Sequence, residues 1–75
     1  MPGRDKLIRQ ALRERFVLTL RGGESFGGLL LEADDKTFVL DDAYALDGKN
    51  RVSVDGRMFV PRAEVVYMQK PGAIA

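Results

Sequence analysis

From Phe16 to Gln69 the apolar residues recur at nearly every second position, in short runs cut by glycine, aspartate and asparagine. This alternation limits the possible folds more than any other feature. Successive side chains fall on opposite faces only in an extended chain, so each run predicts a half-buried β-strand. The first strand runs from Phe16 through Leu20 and turns at Gly22-Gly23, and the second ends at Ala33 before the turn of Asp34, Asp35 and Lys36. "TFVLDDAYAL" is the third, closed by "DGKN". "RVSVDGRMFV" is the fourth, interrupted at Asp55-Gly56 by a bulge or tight turn, and "AEVVYM" is the fifth. Gly27 and Gly28 weaken the middle of the second strand unless they permit a sharp bend there.

Ahead of Phe16 the period changes. Leu7, Ile8, Ala11, Leu12 and Phe16 share one helical face behind Pro2 and Gly3, which predicts an amphipathic helix over residues 4–16. A helix of about a dozen residues is marginal alone, so its apolar stripe must dock on the strands. Its other face is basic, with Arg4, Lys6, Arg9 and Arg13. Residues 4–15 hold five basic and two acidic side chains, whereas residues 16–75 hold seven and nine. Such a segment meets either solvent or a phosphate backbone. The expected fold is therefore mainly β and a single domain over 1–75. It comprises the N-terminal α-helix (4–16), a small, strongly bent five-stranded antiparallel barrel (16–69) and a tail (70–75).

Composition removes whole classes of function. The 75 residues include no cysteine, histidine or tryptophan. Disulfides, thiol catalysis, histidine-based triads and the usual zinc sites are thereby excluded. Neither an enzyme nor a cofactor-bearing or metal-bearing protein is expected. A chain this short buries a modest core, so association with further copies of itself is the staple that remains. No apolar run approaches the roughly 20 residues that span a bilayer, and the N-terminus lacks the pattern of a secretory leader, so no membrane partner and a cytoplasmic location are expected. Gly22 and Gly27 have the spacing of a phosphate loop, but no Lys-Ser/Thr follows. Asp34-Asp35 reads as turn chemistry. Asp41-Asp42, as strand neighbours, point to opposite faces and cannot converge on a metal. Tyr44 and Tyr67 sit in strand alternation and are expected to pack.

Two stretches together resemble the Sm-like (LSm) family over about residues 5–70. In "VLTLRGGESFGGLLLEADDKTFVLDDA", Gly28 and Leu30 match a G-x-L, Phe38, Val39 and Leu40 match an apolar triplet, and Asp42 matches the closing acid. In "MFVPRAEVVYM", Val60, Val65 and Met68 match two short strands joined by a tight turn. The resemblance implies a homo-oligomeric ring of about five to seven subunits, closed by head-to-tail edge pairing. It places that subunit interface at Met58, Phe59, Val60, Val65, Val66, Tyr67 and Met68. It also implies contact with single-stranded RNA at the pore, through Asp35, Lys36 and Thr37 in one turn and Arg62 in the other.

Both turns depart from the family pattern. No aromatic stands at the stacking position, Thr37 replaces an asparagine, and Pro61-Arg62 replaces arginine–glycine. Stacking of this kind contributes about 1–3 kcal/mol per base. What remains is charge-driven contact through Lys36 and Arg62, opposed by Asp34 and Asp35. The ending "VPRAEVVYMQKP" resembles compact Sm-like chains encoded by bacteriophages. That resemblance implies the alternative of a structural ring or adaptor in a virion, with phage or host proteins as partners and no specific nucleic-acid recognition.

Overall fold

The computed structural model describes residues 12–71. Its strands are β1 (Arg15–Leu20), β2 (Ser25–Ala33), β3 (Thr37–Asp47), β4 (Asn50–Ser53), β5 (Met58–Pro61) and β6 (Val65–Gln69), with a 3-10 turn at Arg62–Glu64 between the last two. All pairings are antiparallel, and the order across the sheet is β4-β3-β2-β1-β6, with β5 also paired to β3. Gly23, Gly48 and Gly56 sit at φ 97°, 61° and 81°, so the three glycine turns use a backbone region closed to most residues.

Two expectations are corrected. Among the described residues there is no α-helix: residues 12–14 form a turn, and Arg15 and Phe16 already belong to β1. Residues 4–11 of the expected helix lie outside the described residues. The cause of the early end is competition for backbone groups. The Arg13 N–H donates to the Leu30 carbonyl at 2.6 Å, and the Leu30 N–H donates to the Glu14 carbonyl at 2.8 Å. Strand pairing thus captures groups that a helix would use internally, and Arg13 adopts φ 67° to allow it. The second correction is the strand count, six rather than five. The expected fourth strand is cut into β4, which pairs with the second half of β3, and β5, which pairs with the first half.

The cut in that strand lies opposite a bulge. Gly27 pairs with Tyr44 and Leu29 with Asp41, so Asp42 and Ala43 together oppose Gly28. Asp42 takes φ 49° there, and the Val54 N–H, just past β4, donates to the Ala43 carbonyl at 2.9 Å. Gly28 is required by proximity: a Cβ would lie 2.9 Å from the Asp41 carbonyl oxygen and 3.1 Å from the Ala43 Cα. A second register shift, between Leu30 and Glu32, puts the extra residue on β2. These two irregularities curl the sheet around a core of Leu18, Leu30, Phe38, Leu40, Ala43 and Val60. Phe16, Phe26, Met58, Val65 and Met68 pack against that core from its margin.

Candidate nucleic-acid interface and assembly edges

The β2–β3 turn is organised by one carboxylate. Asp34 Oδ1 accepts the N–H groups of Lys36 at 2.8 Å and Thr37 at 2.7 Å, and the Asp34 N–H donates to the Thr37 carbonyl at 3.0 Å. These backbone bonds, helped by the charges of Arg62 and Lys36, hold the Asp34 carboxyl below its ordinary value of 3.8. A depressed carboxylate stabilises the fold above its unfolded pKa, and this contribution is lost as pH falls through the folded value. Asp34→Ala should therefore melt below the parent protein at neutral pH. The two melting curves should converge as pH is lowered past 3.8, which thermal unfolding across a pH series will read.

Arg62 joins this turn to the β5–β6 corner. Its backbone N–H donates to the Lys36 carbonyl at 2.8 Å, its guanidinium donates to the Asp34 carbonyl, and its guanidinium carbon lies 5.0 Å from the centre of the Phe38 ring. The two stretches expected to meet a ligand are thus brought together across the fold. Lys36 and Asp35 are exposed, and Thr37 and Arg62 are half-buried. Stacking on Phe38 and bonding to Asp34 leave Arg62 with free donors but little freedom of direction.

Two open edges flank this corner. Because the Arg62 N–H points to β3 and N–H groups alternate along a strand, those of Met58 and Val60 also serve β3. Phe59 therefore turns its backbone outward, and at Pro61, with φ −62°, the missing N–H subtracts nothing from the internal ladder. On β1, the Leu20 N–H donates to Glu24 at 2.8 Å, so that of Thr19 faces β6, where Tyr67 is its partner. Met68 then presents its backbone groups outward, and Val66, skipped by the register shift between the Thr19–Tyr67 and Leu20–Val65 pairs, has no partner on β1. Among the described residues, nothing pairs with the outer edge of β5 or of β6.

Side chains at these edges divide into two sets. Val60 is buried, and Met58, Val65 and Met68 lean on the core. Phe59 is 67% exposed, Val66 47% and Tyr67 67%, so Tyr67, expected to pack, does not pack within this chain. Arg4, Lys6 and Arg9 of the expected basic face lie outside the described residues, and Arg13 sits exposed in the turn before β1.

Sequence reasoning missed Arg21. Its N–H donates to the Glu64 carbonyl at 2.8 Å, and its guanidinium donates to the Ala63 carbonyl through Nε at 3.3 Å and Nη2 at 3.1 Å. Arg21 and Arg62 thus hold the Arg62–Glu64 turn from two sides. A lone arginine after a strand carries no local signal for this, since its partners lie more than forty positions away. Asp42 was expected on the basis of alternation, but its left-handed bulge conformation breaks that alternation and points its carboxylate to Arg15.

No protein-family model matches the chain, and no curated protein matches it. Among solved structures it is similar to the P. aerophilum SmAP1 heptamer, at 21% identity and a TM-score of 0.82, covering 91% of this chain and 93% of that one. A heptameric archaeal Sm protein gives 19% identity and a TM-score of 0.81, covering 89% and 98%. The Sm protein of Pyrococcus abyssii in complex with a uridine heptamer gives 22% identity and a TM-score of 0.79, covering 88% and 94%. The backbone fold of this chain is that of an Sm protein.

Proposed function

From that Sm fold we propose that the chain assembles head to tail into a ring and contacts single-stranded RNA through the turns around Lys36 and Arg62. The observation that carries the assembly is the pair of open edges, each bearing outward backbone groups and exposed apolar side chains: Phe59 on β5, Val66 and Tyr67 on β6. An edge of this kind invites pairing, and a second copy supplies the complementary one. Two of the similar structures are heptamers, which makes seven the first subunit number to test.

The RNA reading rests on the meeting of Lys36, Thr37 and Arg62 at one corner, and on the fold shared with a protein bound to a uridine heptamer. Asp35 lies in the same exposed turn and limits the net attraction. Contact through this corner is electrostatic and weakly sequence-selective, because it lacks an aromatic platform. The alternative of a phage structural ring without nucleic-acid recognition draws no support from these relatives.

Native mass spectrometry of the full chain should give a closed oligomer, and a monomer at micromolar concentration would sink the ring. Titration with a uridine oligonucleotide at two salt concentrations tests the corner. Lys36→Ala should weaken binding evenly across sequences and lower the salt slope by about 1. An unchanged slope would place the contact elsewhere.

A further inference from the structure

On the half of β3 farthest from that corner, a shallow depression is lined by Arg15, Asp42, Tyr44, Arg51 and Ser53. Its floor is a half-buried tyrosine whose ring tip lies over a glycine. A Cβ on Gly27 would come within 2.2 Å of Tyr44 Cζ, so only glycine lets the ring rest there. Tyr44 pairs across the sheet with Gly27 on one side and Ser53 on the other, which fixes its backbone between two strands. The Arg51 guanidinium covers the ring, its carbon 4.7 Å from the ring centre. Arg51 belongs to β4, whose residues are all exposed.

We propose that this depression is a second RNA site, taking one base on Tyr44 with its phosphate between Arg51 and Arg15. The proposal rests on the RNA reading above but not on the Lys36–Arg62 corner. Three features support it. An exposed arginine–tyrosine contact is weaker than base–aromatic stacking, so a base can displace Arg51 from the ring while the guanidinium moves to the phosphate. Arg15 is engaged with Asp42, but both partners are exposed, at 54% and 73% of their side chains, and an exposed ion pair is readily exchanged for a phosphate contact. The Ser53 hydroxyl, which both donates and accepts, stands at the rim for a base edge. Here the platform absent from the β2–β3 turn is present, held by β-sheet rather than by a loop.

The test is photo-crosslinking of the full chain to an iodouridine-substituted oligonucleotide, with adducts located by fragment mass spectrometry. An adduct at Tyr44 is expected. Arg51→Ala, at an exposed position that leaves folding intact, should lower the salt slope by about 1, as the loss of one phosphate contact. Tyr44→Leu should lower the salt-resistant part of binding by about fivefold or more, in line with the loss of one stacked base. Arg62→Ala should leave the Tyr44 adduct unchanged. Adducts confined to residues 34–37 and 62 would overturn this site while keeping the corner. An adduct at Tyr44 with none at the corner would support this site and overturn the corner. No adduct anywhere, or a Tyr44 adduct indifferent to both Arg51→Ala and Arg15→Ala, would overturn the proposal.

Discussion

Leu40→Ala is expected to remove most of the margin that keeps this chain folded. Leu40 is fully buried on β3, where it pairs with Leu30 of β2 and Met58 of β5, so its side chain fills the space between those two pairings. Truncating a buried leucine costs about 3–5 kcal/mol, because the lost apolar transfer is joined by an unfilled cavity. In a domain of this size each kcal/mol corresponds to about 4–8 °C of melting temperature, so a fall of roughly 12 °C or more should appear in circular-dichroism melts. Val52→Ala is the control: Val52 is 55% exposed on β4, and its loss should shift the transition by about 0.5 kcal/mol or less. Both melts need the same protein concentration, since assembly raises apparent stability. Equal shifts for the two variants would mean that the core lies elsewhere.

The second large effect is on assembly. Val66→Pro should convert the proposed ring to monomers without unfolding the subunit. Val66 is left without a β1 partner by the register shift between Thr19–Tyr67 and Leu20–Val65, so a proline there spares the pairs Thr19–Tyr67 and Val17–Gln69. Proline is tolerated at such an edge position but cannot donate across it. A buried partner carbonyl left without its donor costs about 1–3 kcal/mol at every contact in the ring, and each subunit makes two such contacts. Sedimentation should therefore show a collapse in mass, while amide exchange at Thr19 and Val17 stays protected. Tyr67→Glu, which alters an exposed side chain and not the ladder, should weaken assembly in the same direction. If Val66→Pro sediments with the parent protein, this edge is not the contact.

The fold was legible in sequence where structure is decided locally. Gly23, Gly48 and Gly56 announce their turns because few other residues accept φ values of 97°, 61° and 81°. Alternation marked the runs that hold Leu18, Leu30 and Leu40 as half-buried strands, since period is a property of one strand, and the structure buries these three in the core. What was not legible depends on partners distant in sequence. The division of the fourth strand into β4 and β5 follows from the bulge at Asp42 and Ala43, and that bulge follows from close contact with Gly28 on another strand. The helical spacing of Leu7 to Phe16 could not reveal that β2 would claim the backbone of Arg13 and Glu14. At the candidate site, Lys36, Thr37 and Arg62 were singled out by their alignment beside the apolar triplet and the second strand pair, and the structure brings the Lys36 turn and Arg62 together. The engagement of Arg62 with Phe38 and Asp34, and the role of Arg21, were not legible.

The corner at Arg62–Glu64 has one more consequence. A protein with two complementary open edges is a repeating unit, and such a unit builds either a closed circle or an endless thread. Which of these forms depends on the angle through which each added copy turns. In this chain the outgoing and incoming edges are joined by only three residues, held by Arg21 on one side and Arg62 on the other. The corner therefore acts as a protractor. In the proposed assembly it would set the turning angle before any second copy arrives, and closure would follow from the monomer's bond geometry.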